Sequence, residues 1–266
     1  MLTILTSPKP SIGKMQMDFL NALHNWSQLC PQPEIFVFGG DEGLVESEGV
    51  RYITSHHTNE LGLPYLDSVY QIAQHEAKHD VFMLVSDHLM FMPGLMEAVQ
   101  RCKSRFPKFL AVGQRHDVDV VDVIDFTRQL YKVRDVRSIQ DWRLTFLDYI
   151  AAGRLHGPSA KDYMIFSRDF PIDIPPFLLG RPWYDSWFVS ASLDAGIPVV
   201  DLTATVVAIH PNHDYAQIPG QPAGNHGNPG EEYNAQLAVG VVGRSGHTTR
   251  SQWIDTPMGI KARLQL

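Results

Sequence analysis

Short apolar segments that alternate with amphipathic segments constrain the fold of this chain more than any other feature. Residues 81–85 are apolar at every position, which is typical of a parallel strand buried on both faces of a sheet. Residues 2–6 and 34–38 are similar segments, and residues 14–29 between them repeat apolar side chains at helical spacing. This order predicts an α/β fold with a mostly parallel central sheet flanked by helices, of the Rossmann-like kind.

The rest of the pattern extends the same prediction. Further strands are expected at 50–53, 109–113, 162–166 and 199–209 (the last as one strand or a bent pair), and further helices at 66–78, 93–106, 138–152 and 182–195. Residues 211–230 are rich in Pro, Gly, Asn and His, which is typical of an irregular loop. We therefore expect a single domain over residues 1–215 and a loop-rich C-terminal segment, 216–266, that packs on or covers the site. The stretch 240–266 is expected to be loosely ordered.

Composition excludes several classes of protein. The net charge is -7 and the pI is near 5.9, which disfavours a nucleic-acid-binding surface, although a nucleic acid is not excluded as a substrate. The two cysteines offer no disulfide framework, no apolar run is long enough to span a membrane, and no signal peptide begins the chain. A cytoplasmic protein is the expectation.

The segment 174–187, with sequence IPPFLLGRPWYDSW, combines three prolines, a glycine, an arginine, four aromatic residues and a carboxylate at the start of a helical pattern. Asp185 falls where unpaired backbone N–H groups at a helix N-terminus favour a negative charge. Arg181 and Trp183 could hold a phosphate and a sugar ring. The alternative is structural: a helix start with a capping acid and core aromatics.

Two polar turns follow predicted strands. Ser86-Asp87-His88 comes directly after residues 81–85, where a carboxylate and an imidazole could hold a divalent cation beside a diphosphate. His210-Pro211-Asn212-His213-Asp214 follows the last predicted strand and could supply one metal ligand and contacts to phosphate or acceptor. The alternatives are a carboxylate that caps the next helix, and histidines that are satisfied within a polar loop.

Two weaker candidates leave earlier strands. Thr6-Ser7-Pro8 follows the first strand, where hydroxyl and backbone groups could meet a nucleotide base or ribose. Asp41 lies just past the second strand and could accept a hydrogen bond from a ribose hydroxyl. Ordinary turn chemistry explains each of them equally simply.

Taken together, these residues resemble the GT-A type of nucleotide-diphospho-sugar glycosyltransferase, over most of the chain from Leu2 to about Asp214. The series that runs from Lys161-Asp162-Tyr163 through Asp185-Ser186-Trp187 to the segment HPNHDY at 210–215 is similar to a bacterial and plant glycosyltransferase-like group, which is family 2-like. The resemblance implies a GT-A-like domain that transfers a sugar from a nucleotide-diphosphate donor to an acceptor hydroxyl.

The resemblance also implies roles for individual residues. Asp87 would lie against the diphosphate and a divalent cation, Mn²⁺ or Mg²⁺, and His210 would complete the metal shell. Asp185 would be the general base of an inverting transfer. Arg181 would offset phosphate charge, and Trp183 would stack on a sugar. Ser86, with Thr6, Ser7, Pro8 and Asp41, would complete the nucleotide-sugar site.

One departure from the family pattern concerns the cation. The family's DxD-type turn is Ser-Asp-His here, with one carboxylate where the pattern has two. His88 could replace the missing ligand, Asp87 and His210 could hold the metal alone, or the enzyme could work without tight metal binding. Two other functions also stay open: a sugar nucleotidyltransferase, and a non-catalytic nucleotide- or carbohydrate-binding protein of the same fold.

Overall fold

The computed structural model of the chain describes residues 2–8, 13–39, 49–126, 141–213, 227–240 and 246–264. Nine strands form the main sheet and four short strands form a second one. The strands are β1 Leu2–Thr6, β2 Glu34–Phe38, β3 Val50–Ile53, β4 Val81–Val85, β5 Met90–Phe91, β6 Leu110–Val112, β7 Arg115–Val118, β8 Arg154–Leu155, β9 Tyr163–Ser167, β10 Val199–Asp201, β11 Ala208–Pro211, β12 Trp253–Thr256 and β13 Gly259–Ala262.

Helices cover both faces of the main sheet. They are α1 Lys14–Ser27, α2 Leu66–Glu76, α3 Leu95–Arg105, α4 Trp142–Ala152, α5 Tyr184–Asp194 and α6 Glu231–Leu237. One apolar core joins alternate strand residues to α1, α3 and α4, and a second joins the opposite strand faces to α2 and α5. Because side chains alternate between the faces of a strand, continuous apolar strands can serve both cores. The predicted α/β fold, a mostly parallel sheet flanked by helices, is confirmed.

The order of the main sheet is β13-β12-β10-β6-β9-β4-β1-β2-β3. The β4 strand pairs with β1 in parallel but with β9 in antiparallel orientation, and β9 is also antiparallel to β6. The prediction that residues 81–85 form a parallel strand thus holds on one side only. Apolar composition reports burial on both faces, and an antiparallel strand in the middle of the sheet is buried in the same way.

The second sheet has the order β5-β11-β7-β8. It covers the end of the main sheet where β4 and β6 terminate, because β5 follows β4 and β7 follows β6 after short turns. The β11 strand runs parallel to β7, with His210 opposite Asp117. This pairing brings the polar residues after Val85 near those of β7 and β11.

The expectation of a loosely ordered stretch at 240–266 is wrong for the described residues 246–264. The β12 strand pairs with β10 and then forms a hairpin with β13, so this stretch extends the main sheet. A bidentate ion pair from Arg101 to Asp255 and a bond from Arg263 to Asp201 fasten the hairpin to the rest of the protein. The division into 1–215 and 216–266 stays a prediction. None of the described helices has the length and apolar character needed to cross a membrane.

Candidate functional site

The strand order at the centre of the main sheet points to a ligand site at the carboxyl ends of β1 and β4. The chain passes from β1 to β2 on one side and places β4 on the other, so β1 and β4 mark a switch in strand order. In open α/β sheets a ligand crevice lies outside the carboxyl ends of strands at such a point. Two of the predicted segments, Thr6-Ser7-Pro8 and Ser86-Asp87-His88, follow these strand ends.

The first segment is mainly a brace between strands. The Thr6 hydroxyl is buried and donates to the carbonyl oxygen of Val85 at 3.1 Å, so it links β1 to β4. Ser7 and Pro8 follow and are half-buried at the sheet edge. A role for these three residues in nucleotide binding stays a prediction. Asp41 and Asp214 lie outside the described residues.

The turn after β4 is tied to the residue that precedes β9. The Ser86 amide donates to the Asp162 carbonyl oxygen at 2.8 Å, and its hydroxyl is 3.5 Å from Asp162 Oδ1. Asp162 Oδ2 lies 2.6 Å from a guanidinium nitrogen of the buried Arg115. Because β9 is antiparallel, it begins at the edge where the parallel strands end, and so Lys161 and Asp162 join the site.

Asp87 and His88 form a buried pair. Asp87 is 7% exposed and His88 is 8% exposed, and Asp87 Oδ1 lies 2.7 Å from His88 Nδ1. This contact makes Nδ1 the hydrogen-bonding nitrogen of His88. Nε2 of the same ring is buried and has no hydrogen-bond partner among the described residues. Buried polar nitrogens normally have a partner, so this one is an anomaly that needs an explanation.

Three histidines converge at this position. The ring centroid of His88 lies 4.5 Å from that of His210 and 4.9 Å from that of His213, and the last two rings are 5.3 Å apart. One nitrogen from each ring lies within 4.8 Å of the others. The predicted neighbours His88 and His210 are therefore brought together, and His213 joins them. We refer to these three residues as the histidine cluster.

Charged residues of β7 lie behind the cluster. Asp117 Oδ1 is 3.7 Å from His210 Nδ1 and 2.9 Å from Arg115 Nε, and Asp117 Oδ2 is 2.6 Å from His156 Nδ1. Burial alone would raise the pKa of Asp117, but the hydrogen bond from His156 and the charge of Arg115 outweigh it and lower the pKa. Asp117 is thus an anionic anchor behind His210.

The donor set of the cluster can be compared with the predicted cation. Three imidazole nitrogens are donors that Zn²⁺, Cu²⁺, Fe²⁺ and Ni²⁺ prefer, whereas Mg²⁺ and Mn²⁺ prefer carboxylate, carbonyl and water oxygens. The described group of converging ligand atoms consists of imidazoles, and Asp87 Oδ1 bonds to His88 Nδ1. Within the part of the chain that the structure describes, the histidine cluster does not match the oxygen ligands that Mg²⁺ and Mn²⁺ prefer. Direct ligation by Asp87 stays a prediction.

Asp185 lies in the first turn of α5, as the sequence predicts. Its Oδ2 is 3.0 Å from Lys161 Nζ; the lysine side chain is fully buried and that of Asp185 is 22% exposed. Lys161 Nζ also donates to the Ser159 carbonyl oxygen at 2.6 Å. The ion pair holds Asp185 in place and leaves part of its carboxylate open to solvent.

The pKa of the Tyr184 hydroxyl is affected by three carboxylates of the site. Burial raises the pKa of Tyr184, and the negative charges of Asp185, Asp162 and Asp87 raise it further. The Tyr184 hydroxyl therefore interacts electrostatically with carboxylates both in the turn after β4 and at the start of α5. The two predicted halves of the site, with Asp87 on one side and Asp185 on the other, belong to one neighbourhood.

Trp183 and Arg181 lie immediately before α5. Trp183 has φ 88°, a conformation that a bulky residue rarely adopts and that persists only where the surroundings hold it. Its side chain is half-buried against the second apolar core. Arg181 Nε donates to the Pro229 carbonyl oxygen at 2.6 Å, and another guanidinium nitrogen donates to that of Gly180 at 2.9 Å. Arg181 thus fastens the stretch before α6 to the segment before α5.

An open depression adjoins the histidine cluster. Its volume is about 390 Å³, and its lining includes Lys14, Met15, Asn212 and His213. Lys14 Nζ is 2.6 Å from Oδ2 of Asp18, a carboxylate of α1 that is 2% exposed. Burial raises the pKa of Asp18, and its electrostatic interactions with His88 and Asp87 place it in the same neighbourhood.

Sequence reasoning missed Asp18, Arg115 and Asp117 as members of this neighbourhood and gave Lys161 and Asp162 no role in it. It also allowed the segment 210–214 only one metal ligand, so it did not assign His210 and His213 to the same ion. For His213 a signal existed, since two histidines three residues apart at a strand end can both reach one ion. Arg115 and Asp117 carried no comparable signal. Their positions depend on the pairing of β7 with β11, which no local pattern encodes.

Comparison with known proteins gives weak likeness only. No protein-family model matches the chain, and no curated protein matches it. Among solved structures, it is similar to S. aureus TarS in complex with UDP-GlcNAc, at 13% identity and a TM-score of 0.32, over 48% of this chain and 38% of that one. It therefore spans well under half the length of that structure.

Two further structures cover more of the chain. The CMP:2-keto-3-deoxy-manno-octonic acid synthetase complexed with CTP is 14% identical over 89% of this chain and 97% of that one, with a TM-score of 0.38. A putative glucose-1-phosphate thymidylyltransferase from Bacillus anthracis is 8% identical over 90% and 95%, also with a TM-score of 0.38. These values are too low to assign a reaction, so the activity has to be inferred from the site.

Proposed function

We propose that this chain transfers a glycosyl group from a nucleoside-diphosphate sugar to an acceptor hydroxyl, with Asp185 as the general base. The observation that carries the proposal is the position of Asp185. It lies in the first turn of α5, is held at 3.0 Å by a buried ammonium group, and keeps part of its carboxylate open to solvent. An anionic, oriented and accessible carboxylate is what proton removal from an acceptor requires.

The donor would lie in the crevice outside β1 and β4. Ser86 and Asp87 border this crevice at the end of β4, and Thr6 to Pro8 border it at the end of β1. Trp183 precedes Asp185 by two residues in the chain, and its half-buried ring packs against the second apolar core. The proposal keeps it as the candidate for stacking against a sugar through the part of the ring that stays exposed. Arg181 is the less direct candidate for a phosphate contact, because its guanidinium already donates to two carbonyl oxygens.

The proposed step is a single displacement. The acceptor oxygen attacks the anomeric carbon, the bond from that carbon to the phosphate oxygen breaks, and the bonding electrons leave with the nucleoside diphosphate. The acceptor proton passes to a carboxylate oxygen of Asp185, and the configuration at the anomeric carbon inverts. Lys161 holds the carboxylate in position before the proton arrives, which is the contribution expected of a preorganised site.

The decisive experiment compares two variants of the same helix. Asp185→Asn keeps the shape of the side chain but removes the base, so nucleotide-sugar turnover should fall about 10²–10⁴-fold. Asp194→Asn, at the exposed end of α5, should keep normal turnover. Release of nucleoside diphosphate from UDP-, GDP- and dTDP-sugars is measured with Mg²⁺, Mn²⁺ or Zn²⁺ and with a chelator. Near-normal turnover by Asp185→Asn would refute the base assignment.

The same assays separate the two other functions. A sugar nucleotidyltransferase would release pyrophosphate from a nucleoside triphosphate and a sugar phosphate. A binding protein would be stabilised thermally by a nucleoside diphosphate, would turn over no nucleotide sugar, and would respond identically in the wild type and in Asp185→Asn. Either result would replace the transfer reaction proposed here.

A further inference from the structure

We propose that His88, His210 and His213 bind one first-row transition-metal ion of the Zn²⁺ class through three imidazole nitrogens, with one coordination position open to the neighbouring depression. This site differs from the oxygen-rich Mn²⁺ or Mg²⁺ site that the resemblance implies. It would exist whether or not the chain transfers sugars, so it does not rest on the proposed function.

The first argument is distance. The three candidate nitrogens lie within 4.8 Å of one another. In a tetrahedral site with metal–nitrogen bonds of about 2.0–2.1 Å, ligand nitrogens are about 3.3–3.4 Å apart. The largest separation thus has to shorten by an amount that small rotations of the imidazole rings supply. The three rings are already adjacent, with centroid separations of 4.5 to 5.3 Å.

The second argument is the orientation of the rings. In metal sites a ligating histidine usually donates its other ring N–H to a carboxylate, which fixes the tautomer and strengthens the ligand. Asp87 lies 2.7 Å from His88 Nδ1 in that role. Asp117 Oδ1 lies 3.7 Å from His210 Nδ1, which is within ion-pair range but beyond the length of a hydrogen bond. The remaining nitrogen of His88, Nε2, is the buried atom for which the described residues offer no hydrogen-bond partner. A metal ion supplies that partner.

The third argument is charge. Asp87 and Asp117 stand directly behind two of the rings, and Asp18 is close enough to interact electrostatically with His88. Arg115 offsets part of this negative charge through Asp117 and Asp162, and Lys14 offsets part of it through Asp18. Arg154, whose side chain is 81% exposed, lies 3.8 Å from Asp117 Oδ2 and is a third, largely solvated cation. The four carboxylates of Asp18, Asp87, Asp117 and Asp162 still outnumber these three cations, so a dication at the cluster is electrostatically favoured.

The fourth argument concerns access. His213 belongs both to the cluster and to the lining of the depression of about 390 Å³. Three protein ligands with one open position are typical of a reactive metal centre, whereas a closed structural site has four. The open position would hold water or an anionic oxygen ligand that enters from the depression.

Metal binding to the full-length chain tests the proposal directly. After treatment with a chelator, the wild type should bind one equivalent of Zn²⁺, and Co²⁺ in its place should show the intense visible bands of a four- or five-coordinate ion. His213→Gln should weaken Zn²⁺ binding by about 100-fold or more, and Asp87→Asn by about 10–100-fold. His75→Gln, an exposed histidine at the end of α2, is the matched control and should bind like the wild type.

Two measurements cover the remaining outcomes. X-ray absorption at the zinc edge of the wild type counts the imidazole ligands without relying on a variant, and three are expected. Inorganic pyrophosphate should change the Co²⁺ spectrum by taking the open position. Absence of stoichiometric binding, fewer than three imidazoles, or equal binding by His213→Gln and His75→Gln would overturn the site. An unchanged spectrum with pyrophosphate would overturn the open position.

Discussion

Two buried carboxylates, Asp255 and Asp18, show how differently the same group is used in two regions of the protein. Asp255 is fully buried in β12; Arg101 donates to both of its oxygens, and the Thr205 hydroxyl donates to one of them. Asp18 is 2% exposed; Lys14 occupies its Oδ2, while Oδ1 has no hydrogen-bond partner among the described residues. Both oxygens of Asp255 thus have hydrogen-bond donors within the chain, whereas one oxygen of Asp18 has none among the described residues, which is unusual for a buried carboxylate.

The position of each carboxylate in the fold fits this difference. Asp255 fastens the terminal hairpin to α3, far along the sheet from the carboxyl ends of β1 and β4. Asp18 faces the neighbourhood of His88 and Asp87 instead. The bonding of Asp255 is complete within the chain, whereas Asp18 lies in the region where we propose a bound metal ion.

The largest expected effect is on the complete network. Asp255→Asn removes the counter-charge of Arg101 and should lower the free energy of unfolding by about 3 kcal/mol, at the low end of the range for a broken buried pair, because the Arg101 side chain is 29% exposed. Asp80→Asn breaks the exposed pair with Lys103 and should cost less than about 1 kcal/mol. Urea denaturation measures both variants, and equal losses would contradict the structural role of Asp255.

A smaller effect is expected at the incomplete network. Zn²⁺ at about 100 times its dissociation constant should raise the free energy of unfolding of the wild type by about 2.7 kcal/mol. Asp255→Asn should gain the same increment, because the two regions are independent, and His213→Gln should gain almost none. Urea denaturation with and without Zn²⁺ measures these free energies of unfolding. A gain in His213→Gln equal to that of the wild type would contradict Zn²⁺ binding at the histidine cluster.

The smallest effect concerns pH. Burial raises the folded-state pKa of Asp18 above 3.8, so the folded chain holds this proton more tightly than the unfolded chain does. Asp18 therefore lowers stability as pH rises from 3.8 through its folded pKa, despite the favourable charges of Lys14 and His88. Asp18→Asn should flatten that part of the stability curve relative to the wild type. Parallel curves between pH 4 and 7 would contradict the raised pKa.

The sequence predicts β1 to β4, β6, β9 and β10, five of the helices and the position of Asp185, because each of these depends on a local pattern. Apolar runs define β1, β2 and β4, and the segment before α5 ends in a start signal for that helix. Of the second sheet, the sequence predicts only part of β11, as the second half of the bent pair at 199–209. Its strands have two to four residues, and β7 and β8 carry charged side chains that weaken the strand pattern. Their pairing is decided by tertiary contacts, which override weak strand propensity.

The same limit applies to the candidate site. Asp87 and His210 could be proposed because each follows a strand, and the ends of strands are where ligands bind. The meeting of His213 with His88 depends on how β11 lies between β5 and β7, and the pairing of Lys161 with Asp185 depends on the reversed direction of β9. Long-range register carries this information, and a single sequence does not reveal it.

The reversed β9 strand also orders events during folding. Among the described strands, β1 to β4 pair only with one another until residues 163–167 arrive, and β6, though made earlier, joins them only through β9. Such non-local pairing is slow compared with local contacts. We expect the amino-terminal four-strand unit to acquire protection from hydrogen exchange first. The half of the sheet that carries the terminal hairpin would then form in a single later step, when β9 pairs with both β4 and β6.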